Sequence, residues 1–214
     1  MVDGALVHST KHIPVLGVVL AGGASRRYGS DKALAMLDGT PLLQWVVDRV
    51  RPQVDVLAIS GTSRMGVTLP IIADAVGGCG PLSALCSILA WAKERNLPLV
   101  ATFSCDTPFI PRDAVSDLRA ALQDCDCAVA SWTGVTHPTC ALWKTKTHGE
   151  IEAAFAAGVR SVHGAIAYLN TSFADFSSVR DGPTGDPFFN INARNDMAVA
   201  QLWLEEGHTS HDSA

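Results

Sequence analysis

The 214-residue sequence predicts an α/β fold of three layers, with a mainly parallel mixed sheet between two layers of helix. Three observations predict it. Short apolar, β-rich runs alternate with longer amphipathic ones along almost the whole chain, the pattern of strand–helix–strand units. The runs at 14–20 and 98–104 are almost wholly apolar, as in strands covered on both faces. No internal repeat or linker divides the chain, so residues 13–206 are expected to form one domain between tails at 1–12 and 207–214.

The elements follow in order. Residues 14–20 form a buried strand and 21–32 a loop. Thr40 is expected to cap a helix with Pro41 at its first position, ending near Pro52. Strands follow at 54–60 and 69–73. Gly77-Gly78-Cys79-Gly80 leads into a helix that starts at Pro81 and ends near Asn96. Residues 98–104 are the central strand, and Asp113 heads a helix to about Gln123. Strands at 126–132 and 139–143 precede helices at 148–157 and 161–169, the first stopped by Gly158. A strand at 172–176, a loop at 177–187 and a helix from Asp196 to Glu206 complete the series.

Composition narrows the function. The net charge of −5 excludes a general nucleic-acid binder, which would carry a basic face. An anionic ligand must therefore meet a local cluster of cations. The first dozen residues hold no long apolar core, and no run approaches the ~18 apolar residues of a membrane helix. A cytoplasmic protein with reduced thiols is the expectation for the six cysteines. Cys125-x-Cys127 lacks the spacing and the second pair of a zinc site.

In open sheets of this kind, ligands bind beyond the carboxyl ends of the strands. The informative residues fall there. After the first strand comes Leu20-Ala21-Gly22-Gly23-Ala24-Ser25-Arg26-Arg27-Tyr28-Gly29-Ser30-Asp31-Lys32. It is neither a P-loop nor a dinucleotide fingerprint. Two glycines let the backbone approach a bound group, and consecutive amides there can cradle an anion. Arg26, Arg27 and Lys32 add three cations within seven residues. Asp106, after the central strand, is placed to hold Mg²⁺, which takes one or two carboxylates plus phosphate oxygens. Asp74 ends the third strand, and Asn190-x-Asn192 puts two amides on one side of an extended segment.

These residues carry a resemblance. Leu20-Ala21-Gly22-Gly23-x-Ser25-x-Arg27-x-Gly29-x-Asp31-Lys32-Ala33-Leu34 resembles the signature of the molybdenum cofactor guanylyltransferases. Gly80-Pro81-Leu82, Cys105-Asp106-Thr107-Pro108-Phe109-Ile110-Pro111, His137-Pro138-Thr139-x-Ala141-Leu142-Trp143, Gly158-Val159-Arg160-Ser161-Val162 and Phe189-Asn190-Ile191-Asn192 resemble later family segments, in the family's order. The likeness spans about 14–200. Departures are Ser60-Gly61-Thr62 where the family carries an Asn, Tyr28 for Met, Ala84 for Gly, and Asn195-Asp196 for a Thr-Pro-Glu stretch.

The resemblance implies the Rossmann-like nucleotidyltransferase fold and a reaction. GMP would pass from GTP to the phosphate of molybdopterin or its molybdenum-loaded form, releasing pyrophosphate. It implies Arg27, Lys32 and Asp106 as catalytic residues and Asp106 as the Mg²⁺ ligand. Leu20, Ala21, Gly22, Gly23, Lys32, Thr62, Asp74 and Asp106 would contact the nucleotide, and Asn190 and Asn192 the pterin substrate. Gly22 resembles the guanylyl branch; the cytidylyl branch tends to carry Ala there. Cofactor-synthesis proteins or acceptor molybdoenzymes are the implied transient partners, with no nucleic acid and no membrane. Rival readings are a related transferase using CTP, a sugar phosphate or phospholactate, and a non-catalytic pterin-cofactor carrier. Lys144, Lys146 and Arg160 are expected at the surface, and His137 is expected to be structural or a modest substrate contact rather than catalytic.

Overall fold

A computed structural model describes residues 12–22, 32–61, 68–75 and 79–207. The terminal stretches 1–11 and 208–214, most of the loop after the first strand, and Thr62 lie outside the described residues. The strands are β1 (Val15–Leu20), β2 (Met36–Leu37), β3 (Thr40–Pro41), β4 (Val56–Ser60), β5 (Ile71–Ile72), β6 (Leu99–Ser104), β7 (Cys127–Trp132), β8 (Val135–Lys144) and β9 (Thr171–Asp175). The helices are α1 (Leu42–Val50), α2 (Pro81–Glu94), α3 (Ala114–Leu122), α4 (His148–Ala156), α5 (Val162–Ile166) and α6 (Arg194–Glu205).

Seven strands form one sheet in the order β5-β4-β1-β6-β8-β7-β9. β8 runs antiparallel to both its neighbours and the other pairings are parallel, so the sheet is mixed but mainly parallel, as expected. Side chains alternate across it because successive residues of a strand point to opposite faces. One face carries Val15, Val19, Phe103 and Leu142 against Val46 and Val50 of α1 and Val115 and Leu118 of α3. The other carries Leu16, Val18, Val100 and Trp143 against Leu85, Ile88 and Leu89 of α2, with Ile151 of α4 and Ile166 of α5. A third cluster, of Leu37, Leu42, Trp45, Phe109, Ile191, Ala200 and Leu204, seats α6 beside the start of α1.

Three local expectations are corrected. Thr40 does not cap α1. It pairs with Leu37 across a two-residue turn, and the helix starts after Pro41. Asp38 and Gly39 both take positive φ there, the geometry of an Asp-Gly hairpin turn. β8 is twice the predicted length, because Thr133 and Gly134 turn the chain straight from β7 into it. Pro138 sits within β8, where the register slips: Val129 faces Ala141 while Ala130 faces His137. A proline cannot donate to the ladder, so a bulge accommodates it. The predicted helix at 161–169 shrinks to the single turn of α5, capped by the Ser161 hydroxyl.

Candidate active site

The parallel strands β5, β4, β1 and β6 lie side by side, so their carboxyl ends open at one edge of the sheet. The backbone ladder continues past them. Ala21 N–H donates to Ser60 O at 2.9 Å, Cys105 N–H to Leu20 O at 3.2 Å, and Gly61 N–H to Ile72 O at 3.1 Å. These bonds fix Leu20, Ala21 and Gly22 between the ends of β4 and β6. Gly61 is forced by this closeness. Its φ is +137°, and a Cβ there would lie 3.1 Å from Gly22 N and 3.2 Å from the Ala21 carbonyl.

Asp106 follows β6 by two residues. Lys32 Nζ donates to its Oδ2 at 2.6 Å, and the Ser104 hydroxyl to its Oδ1 at 2.5 Å. The lysine and aspartate side chains are 13% and 15% exposed, so the pair is largely withdrawn from solvent. The same ammonium reaches Asn192 Oδ1 at 2.8 Å and lies 3.5 Å from Asn190 Oδ1. Four of the residues singled out in the sequence, up to 160 positions apart, therefore meet at one nitrogen. Ile191 N–H donates to Asp106 O at 2.9 Å, pinning the asparagine segment to the aspartate turn. Asp196 Oδ2 accepts from the N–H groups of Asn192 and Ala193, so α6 begins where the site ends.

Asp74 stands apart from this cluster. It lies beyond β5, and its carboxylate accepts from the Ser83 hydroxyl on the first turn of α2. A cavity of about 390 Å³ opens beside it between α2 and α4, lined in part by Ala75, Ser83, Cys86 and Phe155. Burial pushes the Cys86 thiol up to about 11, with Glu152 adding to the effect, so it stays neutral at neutral pH. Gly23, Arg27 and Thr62 lie outside the described residues.

Lys144, Lys146 and Arg160 are engaged elsewhere. Lys146 pairs with Asp126 at 2.9 Å, Lys144 donates to Gln123 O, and Arg160 covers Phe155. The His137 ring packs 4.6 Å from that of Phe188. Sequence reasoning missed Ser104 and Asp196. Ser104 carried a signal, as the one polar residue closing an apolar strand next to the aspartate.

The comparisons with known proteins decide the family. A family model described as the MobA-like NTP transferase domain matches residues 17–170. The chain belongs to this family. A protein of Cereibacter sphaeroides named molybdenum cofactor guanylyltransferase is 37% identical over 90% of this chain and 98% of its own length. One of the same name from Mesorhizobium japonicum is 38% identical over 89% and 96%. Among solved structures, molybdopterin-guanine dinucleotide biosynthesis protein A of Archaeoglobus fulgidus matches 89% of this chain and 99% of its own, with a TM-score of 0.71 at 22% identity. 2-C-methyl-D-erythritol 4-phosphate cytidylyltransferase of Thermus thermophilus shares the fold, with a TM-score of 0.64 at 17% identity. The predicted nucleotidyltransferase fold is thus established, and the family match with the 37% identical relative makes the chain a nucleotidyltransferase. Among the described residues no helix is long and apolar enough to cross a membrane.

Proposed function

We propose that this protein transfers GMP from GTP to the terminal phosphate of molybdopterin or its molybdenum-loaded form. The reading is carried by the single ammonium of Lys32, shared by Asp106 and the two asparagine amides at the joint of the strand ends. The name borne by relatives at 36–38% identity supports it.

The chemistry needs little from acid–base groups. The acceptor phosphate has a second pKa near ~6, so at neutral pH it is largely a dianion and needs no base. Its oxygen forms a bond to the α-phosphorus of GTP as the bond to the β-phosphate oxygen breaks, and pyrophosphate leaves. The task is to bring two polyanions together and to stabilise charge on the leaving group. Lys32, with Arg27 and the amides of Gly22 and Gly23, would take the triphosphate. Leu20, Ala21, Thr62 and Asp74 would face the nucleoside, and Asn190 and Asn192 the pterin.

The residues fit Mg²⁺ arriving with a nucleotide. The donors gathered on the Lys32 ammonium are all hard oxygens with one carboxylate among them. Mg²⁺ favours such a set when phosphates and water complete it. Asp106 would hold the ion, which supplies charge neutralisation across the phosphate oxygens. Ser104 orients the carboxylate by donating to its Oδ1. The six free thiols suit a reducing cytoplasm.

Pyrophosphate release tests the reading, with GTP or CTP as donor and molybdopterin, a sugar phosphate or phospholactate as acceptor. GTP with molybdopterin is expected to be the productive pair. No release from that pair would overturn the assignment, and turnover with CTP or another acceptor would name the replacement.

A further inference from the structure

We propose that Arg49 and Asp181 are positioning residues for Asn190 and Asn192, acting by tying the turn that carries these asparagines to helix α1. The proposal rests on the reading of Asn190 and Asn192 as contacts to the acceptor. Arg49 lies on the last turn of α1 with its side chain 2% exposed. Its Nη1 donates to Ile110 O at 2.9 Å and stands 3.8 Å from Asp181 Oδ2. Among the described residues, its Nε and Nη2 have no hydrogen-bond partner. Burial brings its pKa down to about 10, so it stays charged at neutral pH. A buried guanidinium with two unfilled N–H groups is a costly way to fill space, and an apolar side chain of similar length would serve packing better.

What the charge does is reach two segments at once. Ile110 lies four residues beyond Asp106, and Asp181 opens the turn that ends at Asn190 and Asn192. Gln53, one helical turn beyond Arg49, supports the same hold by donating to Arg49 O at 2.8 Å and to Pro111 O at 3.0 Å. Arg112 adds repulsion to Arg49, which the Asp181 carboxylate offsets.

The turn is stiff enough to transmit the position of Asp181. Gly185 N–H donates to Gly182 O at 2.9 Å, and Phe188 N–H to Asp186 Oδ1 at 2.8 Å. A Cβ on Gly182 would lie 2.0 Å from Asp186 O, so the two limbs of the turn are in contact. The Ile191 bond to Asp106 O then delivers the segment to the site.

Asp181→Asn in the full chain tests this, since the residue is 52% exposed and its loss leaves the core intact. Two readouts are taken: hydrogen exchange across 187–192 without substrates, and steady-state kinetics. Exchange at the Ile191 amide should quicken several-fold while Tm holds. KM for molybdopterin should rise several-fold with kcat and KM for GTP nearly unchanged. Arg49→Lys, which keeps the charge but not the fork, should fall between the wild type and Asp181→Asn. Unchanged exchange in both variants would overturn the proposal. So would a uniform rise across the sheet with a lower Tm, the mark of a purely structural pair. Faster exchange at 187–192 with an unchanged molybdopterin KM supports the tie and overturns the acceptor reading of the asparagines instead.

Discussion

The two sides of the cleft are built differently. On one side, Leu20, Ala21, Gly61 and Cys105 are placed by main-chain bonds that extend the ladder of β4, β1 and β6 past the strand ends. On the other, Asn190 and Asn192 belong to no strand or helix. Beyond the one main-chain bond from Ile191 to Asp106 O, side chains hold them: Phe188 between His137 and Phe176, Trp132 donating to Val179 O, Asp196 closing the segment, and Arg49 facing Asp181. A sheet-built wall tolerates side-chain change and fails when its backbone is forced or its charges removed. A wall built from side chains fails one pin at a time.

The largest effect should follow from removing charge where the two walls meet. Asp106→Ala is expected to cut turnover by about 10²–10³-fold, the usual loss for one electrostatic contact to a charge-developing transition state. GTP binding, followed by calorimetry, should only weaken, because the backbone wall persists. Asp106→Asn should lose as much as Ala if the carboxylate charge is what matters. Full turnover in both variants would remove Asp106 from the reaction.

The same division explains what the sequence discloses. β1 and β6 are legible because strands buried on both faces must be apolar throughout, and a glycine pair or an aspartate after such a strand interrupts the pattern. The ends of these strands are set by register, so Gly22 and Asp106 could be placed near one another from chain order alone. The convergence of Lys32 with Asn190 and Asn192 was not anticipated: the family likeness gave the lysine to the nucleotide and the asparagines to the pterin, and separations of 158 and 160 residues leave no local signal. Arg49 was invisible: in a helix reading LLQWVVDRV an arginine is expected to face water, yet it is buried, bonded to Ile110 O and facing Asp181. The β2–β3 hairpin did carry a signal, Asp38-Gly39 between apolar residues, but the Thr-Pro helix cap competed for the same positions.

A backbone test of the sheet-built wall comes next in size. Gly61→Ala places a Cβ 3.1 Å from Gly22 N and 3.2 Å from the Ala21 carbonyl, a tight contact, at a φ that alanine rarely adopts. The strain should destabilise the fold by about 1–3 kcal/mol, read from the denaturation midpoint. It should also raise KM for GTP while KM for molybdopterin is little changed. A variant with equal effects on both substrates would show that the two walls move as one body and that the contrast between them is false.

The smallest effect probes the other wall through pH. The His137 ring packs on Phe188 with its Nε2 buried and, among the described residues, without a hydrogen-bond partner. Burial holds its pKa below the ordinary 6.5, against a smaller opposing pull from Asp186. The unfolded chain therefore takes up the proton more readily than the folded one. The stability that neutral His137 contributes is complete above the unfolded value and is lost as pH falls through the folded one. Between about pH 7.5 and 5.5 the wild type should lose more Tm than His137→Gln, whose side chain does not titrate. Hydrogen exchange at 187–192 should quicken with acid in the wild type and stay flat in the variant, because the histidine pins the segment only while neutral. Identical acid limbs for both proteins would show that His137 is protonated without consequence, and that the Phe188 end of this wall is held by the aromatic contact with Phe176 alone.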